Sequence, residues 1–271
     1  MRPVRVVTLN LWNDRPDVAR RMQVAMDGLR ALAPDIVALQ EVVGEGGVLE
    51  SQAKQIALAL EATCHFDAVD AGRTAGPIGN AVISRFPIKR ADALELPSAP
   101  GDPRRAIHCQ LATPVGRLPF FNCHLSWEMW LSPRREAQVV ALDAFVHESP
   151  GDLPAIVCGD FNASPDTAVI RFLTGRTSLS GRGTYYRDCW ARRHPDQHGY
   201  TWSEKNPYAV RWIERNRRID YVFVGPIGDD GWGAVLDARV VLDLPGPDGV
   251  FASDHFGVYA EIGVAAPEVA V

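Results

Sequence analysis

The chain has 271 residues, 46% of them hydrophobic and 23% charged, with a net charge of −5. These values describe an ordinary globular chain and exclude a protein that coats itself along a polyanion, because such binding needs Lys and Arg to neutralise phosphates and no basic tail or stripe is present. Cys64, Cys109, Cys123, Cys158 and Cys189 make an odd set with no Cys-x-x-Cys spacing, which predicts free thiols in a reducing compartment.

Met1-Arg2-Pro3-Val4-Arg5 leads directly into a strand, with no hydrophobic signal region and no stretch of membrane-spanning length, so a cytoplasmic location is expected. Val4 to Leu9 is a short β-branched run that reads as a strand ending at Asn10. Pro16 and Asp17 open a helix with Val18, Met22, Ala25, Met26, Leu29 and Leu32 at helical spacing, and Pro34 stops it. Ile36 to Leu39 is a buried strand that delivers Glu41. A second helix, from Val48 to Leu60, puts Ala53, Ile56, Ala57 and Leu60 on one face.

Strands follow around His65 to Val69, Asn80 to Ser84, Ala106 to Leu111 and Leu118 to His124. A helix from Ser132-Pro133 is expected to turn Ala137, Val140, Ala141, Ala144 and Phe145 inward. Ala155 to Cys158 is a strand ending in Gly159-Asp160, and Ser164-Pro165 caps a helix with Val169, Ile170, Phe172 and Leu173 on its core side. Thr174 to Trp212 is polar, Gly-rich and aromatic and reads as a long surface excursion. The last strands are Ile219 to Val224, Ala234 to Val241 and Phe256 to Ile262. Residues 265–271 read as a flexible tail, and no repeat or break in composition divides residues 1–264, so one domain is expected. Strands outnumber helices and several are consecutive, a pattern that two facing mixed β-sheets with helices outside would satisfy.

Chemistry-bearing residues collect where these strands end or begin. Asn10, Glu41, His124 and Asp160 follow apolar runs, Asp220 opens one, and Ser253-Asp254-His255 precedes the last. An unpaired carboxylate after a buried run is costly, so Glu41 calls for a cation or an Arg partner; with Asn10 and Asp254 flanking other strands, a metal is the better reading. Such hard oxygen ligands with proton-transfer groups suit a magnesium-assisted phosphoester hydrolase. In Gly159-Asp160-Phe161-Asn162 a carboxylate can deprotonate water and an amide can hold a phosphoryl oxygen; a simple Asx-turn would explain one of the two polar residues and leave the other. Asp220 can fix the tautomer of His255 and raise its pKa. His65, His108, His147, His194 and His198 read as structural or exposed. Arg104-Arg105, Arg134-Arg135, Arg192-Arg193 and Arg215 to Arg218 are candidates for a local basic rim, though such pairs are more often solvated faces.

Asn10, Glu41, His124, Asp160 with Asn162, Asp220 and Asp254-His255, in this order, resemble the endonuclease/exonuclease/phosphatase superfamily, the deoxyribonuclease I-like fold, from residue 4 to about residue 262. Ser84-Arg85-Phe86-Pro87-Ile88 is similar to a strand-exit segment habitual in that family. The resemblance implies an α/β (strictly α+β) four-layer sandwich, two facing mixed β-sheets flanked by helices, and dependence on magnesium or manganese. It implies that Asn10 and Glu41, with Asp254 nearby, hold the metal, that Asp160 positions or deprotonates the attacking water, and that Asn162 binds the scissile phosphate. It implies that His255, oriented by Asp220, stabilises a phosphorane-like transition state. The deoxyribonuclease branch places a glutamate near Ile78-Gly79-Asn80 as partner of the histidine corresponding to His124; no carboxylate stands there in this chain, so phosphate contact is the role expected of His124. Arg104 or Arg105 occupies a position similar to the family's basic phosphate contact.

The shared core cannot choose a substrate. Trp127 and Trp130 after His124, and Trp202 before Asp220, could stack bases, line a pocket for an organic leaving group, or pack loops onto the body. Thr201-Trp202 ahead of Asp220 resembles the branch that removes tyrosyl groups from DNA 5′ ends. The acidic balance favours a phosphodiesterase or phosphatase on a small or terminal phosphoester; a nuclease on DNA or RNA is the alternative, and a non-catalytic binding module on the same fold the third.

Overall fold

Val6 and Val7, neighbours in the first strand, point to opposite sides and are both fully buried. A strand covered on both faces has to lie between two layers. The computed structural model, which describes residues 2–44, 51–70, 76–209 and 216–264, shows those layers. The elements in order are β1 (Val4–Asn10), α1 (Val18–Leu32), β2 (Ile36–Val43), α2 (Gln52–Ala59), β3 (Thr63–Asp70), β4 (Ile78–Ser84) and β5 (Ile88–Ala99). β6 (Asp102–Thr113), β7 (Gly116–His124), α3 (Ser132–His147), β8 (Ile156–Asp160), α4 (Ala168–Leu173), β9 (Arg187–Asp188) and α5 (Cys189–Arg193) follow. β10 (Trp202–Ser203), β11 (Asn216–Arg217), β12 (Asp220–Val224), β13 (Trp232–Val241) and β14 (Gly257–Val264) complete the described chain.

One six-stranded sheet has the order β13-β14-β1-β2-β4-β3, the other β5-β6-β7-β8-β12-β9. Each is mixed and contains a parallel pair joined through a helix: β1 with β2 through α1, and β7 with β8 through α3. Val6, Ile36, Ala38, Val258 and Ala260 of the first sheet meet Ile107, Phe120, Ile156, Cys158 and Val222 of the second. Val7, Leu9, Val37 and Leu39 pack outward on Met22, Ala25, Leu29 and Ile56 of α1 and α2. Phe121, Cys123, Val157 and Phe223 pack outward on Val139, Leu142, Val169 and Phe172 of α3 and α4. The result is a four-layer sandwich of helices, sheet, sheet and helices. Each fully buried Val, Leu, Ile or Phe contributes roughly 1.5–3 kcal/mol against exposure, so these three apolar seams fix the layer order.

One polar seam crosses the inter-sheet core. Gln40 Nε2 donates to Asn122 Oδ1 at 2.7 Å and to Thr8 Oγ1 at 3.0 Å, while Asn122 Nδ2 donates to Leu39 O and Ala81 O at 2.9 Å each. Buried amides of this kind persist only when their hydrogen bonds are made.

Several expectations need correction. α3 buries Arg135, Gln138, Val139, Leu142, Asp143 and Val146, while Ala137 is exposed; three polar residues on the inner face hid the true stripe. The α4 cap is Thr167 rather than Ser164-Pro165, which form the preceding turn through Thr167 N to Ser164 O. Thr174 to Trp212 is no plain surface excursion: it holds β9, α5 and β10, buries Tyr186, Cys189 and Trp190, and pairs Asp188 with Arg218 at 2.7 Å. Elements this short leave no periodicity to read. β5 went unmarked because it is an edge strand studded with charge, as edges commonly are. The expected helix start at Val48 and the tail 265–271 lie outside the described residues. Among the described residues no helix is long and apolar enough to cross a membrane.

Candidate active site

Both parallel pairs end at the same mouth. In β1 and β2 the last paired residues are Asn10 and Gln40; in β7 and β8 they are His124 and Asp160. Carboxyl ends of parallel strands are where α/β sheets present their binding crevices. β2 does not stop at Glu41, as its apolar run suggested, but continues to Val43. A register shift between Leu39 and Val42 creates a bulge, and Glu41 sits in it with φ 50°, a left-handed conformation that turns the carboxylate out of the ladder. On the other sheet Gly159, at φ 141°, packs where an added Cβ would lie 1.9 Å from Cys123 O. Only glycine lets β8 pair here so that Asp160 lands beside His124.

Asn10 joins the two sides: its Nδ2 donates to Glu41 Oε1 at 3.3 Å and to Asp160 Oδ2 at 3.1 Å. Asp160 Oδ1 accepts from Asn162 N at 2.9 Å, the Asx-turn that the sequence offered as an alternative, and Asn162 Nδ2 donates to Leu125 O at 3.1 Å. Asn162 itself is left-handed at φ 49°. An amide nitrogen carries two protons, so one remains for a ligand. Asp160 and Asp220 face each other in register across β8 and β12. His255 Nδ1 lies 3.0 Å from Asp220 Oδ2 and its Nε2 lies 3.8 Å from Asp160 Oδ2, while His124 Nε2 lies 3.5 Å from the same oxygen. Asp160, Asp220 and His255 offer donor atoms within 4.8 Å of one another, all buried.

Electrostatics set these groups apart. Burial, reinforced by Asp220, pushes the Asp160 carboxyl up to about 7. Burial works against a charged His255, yet Asp220 and Asp160 overcome it and hold the ring well above the usual histidine range. His124 goes the other way: burial, then the Arg104 guanidinium and His255, hold it well below that range. Asp160 therefore stands between two imidazoles whose proton affinities are pushed in opposite directions. Asp254 is raised to about 7 by burial, with Glu41 adding to the rise.

Arg104 and Arg105 both line a cavity of about 240 Å³ with Asn13, Glu41, Asn80, His124 and Trp127. Arg104 is the one whose charge reaches His124; it is held by Asp102, and Arg105 by Asp67 at 3.1 Å. Trp127 belongs to this wall, whereas Trp130 is 77% exposed and lies outside it. Trp202 packs edge-on against the His255 ring at 5.0 Å. Arg135, a candidate for a basic rim or a solvated face, is neither: it is buried and donates to the carbonyls of Ser126, Glu128 and Met129, so it holds the Trp127 segment in place.

Several contacts at the site had no sequence signal, although Thr201 and Arg217 were themselves singled out. Asn13 Nδ2 donates to Glu41 Oε2. Thr201 Oγ1 accepts from Ile219 N and Asp220 N at 3.1 and 3.2 Å, and Thr201 O accepts from Phe256 N at 2.7 Å, so one residue sets both partners of the Asp220–His255 pair. Arg217 Nη2 donates to Asn162 O at 3.2 Å. Arg21, buried on the apolar face of α1, did carry a signal: a charge among residues spaced for burial.

The model of the Endonuclease/Exonuclease/phosphatase family matches residues 7–255. The uncharacterized protein YbhP of Escherichia coli (strain K12) is 29% identical over 170 residues, 58% of this chain and 66% of that protein. The chain thus spans just under two thirds of the curated relatives it matches. A humanized TDP2 of D. rerio superposes with a TM-score of 0.77 at 18% identity, over 96% of this chain and 98% of that one. D. rerio TDP2 complexed with single strand DNA product gives 0.76 at 19%, over 96% and 98%. An endonuclease/exonuclease/phosphatase from Bacteroides vulgatus gives 0.73 at 19%, over 98% and 100%. At these identities the structural likenesses speak for the fold.

Proposed function

This chain belongs to the Endonuclease/Exonuclease/phosphatase family, and from that premise we propose that it is a divalent-metal-dependent phosphoester hydrolase, a phosphodiesterase acting on a small or terminal phosphoester. The observation that carries this reading is the bridge of Asn10 from Glu41 to Asp160, which joins a carboxylate able to hold a cation to one able to activate water. The donor set fits a hard cation: Glu41 and Asp254 are carboxylates close enough for one to raise the other, and Arg21, the guanidinium nearby, spends its hydrogen bonds on backbone carbonyls. A magnesium or manganese ion held by Asn10, Glu41 and Asp254 would, when bound, neutralise charge on the phosphate.

Asp160 takes the proton of the attacking water, a task suited to a carboxylate whose pKa lies near neutrality. Its Oδ1 is fixed by Asn162 N and its Oδ2 accepts from Asn10 Nδ2, leaving the second lone pair of Oδ2 for the water proton. Protonated His255 donates from Nε2 to a phosphoryl oxygen where charge develops, with Asp220 holding the opposite nitrogen. Asn162 Nδ2 offers its second proton to the phosphate, and neutral His124 with Arg104 contacts a neighbouring oxygen. Trp127 and Arg105 extend the wall on which the rest of the substrate would lie.

Action on nucleic acid is the second reading, favoured by the likeness to D. rerio TDP2 complexed with single strand DNA product. One experiment tests both. The protein is assayed on small diesters, monoesters and defined oligonucleotides with magnesium, manganese and chelator, at several salt concentrations. Hydrolysis of small esters that chelator abolishes supports the first reading. A steep fall with salt, the mark of several phosphate contacts, supports the second. Turnover that survives chelator, or no turnover at all, sinks the assignment. Five free cysteines support a cytoplasmic location, and an inter-sheet core running from Val4 to Ile262 supports one domain over residues 1–264.

A further inference from the structure

Arg21 is 1% exposed, and a guanidinium so deeply buried has to place its N–H groups on protein acceptors. Nε donates to Pro16 O at 2.9 Å, and Nη1 to Leu11 O at 2.7 Å and Ala252 O at 3.4 Å. Nη2 donates to Trp12 O, Asn13 O and Arg15 O at 3.4, 3.1 and 3.0 Å. The Trp12 ring covers the guanidinium, 4.9 Å from Cζ to centroid. One side chain thus gathers the segment that leaves β1 and ties it to the residue before Ser253-Asp254-His255.

That segment would not hold its shape unaided. Trp12, Asn13 and Asp17 have φ of 56°, 39° and 62°, left-handed values that Asn and Asp tolerate but that a bulky Trp adopts only when the surroundings enforce them. The same segment grips the Glu41 bulge: Leu11 N donates to Gln40 O at 2.9 Å, Asn13 N to Glu41 O at 3.0 Å, and the Asn13 amide to Glu41 Oε2. Both carboxylates proposed to hold the cation therefore sit at the ends of a chain of contacts that starts at Arg21.

We propose that Arg21 is the positioning residue for cation binding by Glu41 and Asp254, acting through Asn13 on one side and Ala252 on the other; the proposal rests on the metal-dependent reading above. Arg187 supplies the contrast. It is also buried and donates to the carbonyls of Gly225 and Gly233, but it lies on the edge strand β9, outside the site. A lysine at either position keeps the charge and loses the planar fork that reaches several carbonyls at once.

The test is direct Mn²⁺ titration, by calorimetry or by the EPR signal of the free ion, on the wild-type protein, Glu41→Gln, Arg21→Lys, Arg187→Lys and Asn13→Ala, with thermal midpoints measured alongside. Loss of partners that orient ligands typically weakens metal binding by about 10- to 100-fold. That weakening is expected for Arg21→Lys and, at its lower end, for Asn13→Ala. Arg187→Lys should lose thermal stability yet bind Mn²⁺ as the wild type does. Wild-type affinity in Arg21→Lys overturns the proposal, as does equal weakening in Arg187→Lys. If Arg21→Lys does not fold, Asn13→Ala decides, because it keeps the clamped carbonyl and the backbone bond from Asn13 N to Glu41 O and removes the amide contact to the Glu41 carboxylate; an unchanged affinity there overturns the proposal. The metal reading fails separately, and takes the proposal with it, if the wild type binds no Mn²⁺ or Glu41→Gln binds it as well.

Discussion

Asp160 and Asp220 are register partners across β8 and β12, two carboxylates on one rung, with His255 Nδ1 3.0 Å from Asp220. The rung raises the proton affinity of Asp160 after burial has already done so, and it holds His255 cationic against its own burial. Asp220→Asn removes the charge that lifts both groups, so both limbs of the pH–rate profile should move to lower pH. The rate at its optimum should fall by about 10²- to 10⁴-fold, the usual worth of a positioned acid or base. A profile of kcat/KM from pH 4 to 10 checks this; limbs that stay in place would remove Asp160 from the role of base.

Asp160→Ala and His255→Ala should each lower kcat by roughly 10²- to 10⁴-fold. Groups that act as a unit are not additive, so the double variant should cost little more than the worse single one. Single-turnover kinetics on the three proteins measure it. Multiplying losses would show that the two residues act independently, and unchanged activity in either single variant would take that residue out of the chemistry.

Asp254 gives a stability prediction with a definite sign. Its carboxyl is raised from 3.8 to about 7 in the folded protein, so folding retains a proton that the unfolded chain releases. The resulting stabilisation is complete below about pH 4 and is lost as pH rises through about 7. In chelator at pH 8, Asp254→Asn should therefore be more stable than the wild type, by on the order of 1 to 4 kcal/mol. The gap should close towards pH 4, and added Mg²⁺ should narrow it at pH 8 by stabilising the wild type alone. Urea melts at several pH values test both directions.

Trp127 and Trp130 should separate cleanly. Trp127 lines the cavity beside His124, whereas Trp130 is 77% exposed outside it. Trp127→Ala should raise KM for an ester with an aromatic or nucleobase group by about 10- to 100-fold, the scale of one lost stacking contact. Trp130→Ala should change it by less than about threefold, as exposed positions generally do. Equal effects would mean that the substrate lies across the loop rather than in the cavity.

Gly159→Ala should unfold or badly weaken the protein. The new methyl would meet Cys123 O at 1.9 Å, and φ is 141° there. A loss on the order of 3 kcal/mol or more is expected, in the range of strained backbone and overpacked cores. Chemical denaturation measures it. A fully stable variant would mean that the β7–β8 pairing can shift, and activity would then report how far Asp160 had moved from His124.

The sandwich, and the gathering of the candidate residues at one mouth, were legible because both depend on short, repeated rules. Alternating Val and Ile runs mark strands, and a polar residue after such a run marks a strand end, which is how Asn10, His124 and Asp160 came to notice. Glu41 was legible as a carboxylate at the mouth and misread as a strand terminus, since a bulge depends on the partner strand β4, which lies far along the chain. Arg135, Gln138 and Asp143 disguised the inner face of α3 because each is satisfied by a backbone or side-chain partner elsewhere in the chain. Asn13 carried no signal, and Thr201 stood out only beside Trp202, with nothing to say that it would hold Asp220 and Phe256. Their importance lies in which backbone groups they touch, and only the folded chain decides that.

Each sheet by itself carries half of the proposed reaction centre, Glu41 and Asp254 on one side of the cleft and Asp160, Asp220 and His124 on the other. The apolar side chains of the two faces interdigitate and resist sliding, and the amide-to-amide bridge from Gln40 to Asn122 adds a polar constraint to theirs. Sliding would strand its buried donors and acceptors, at about 1–3 kcal/mol each. The bridge works as a keyway that admits a single alignment of the halves. Damage at Asn122 would therefore silence the centre by misalignment, with every chemical group still present.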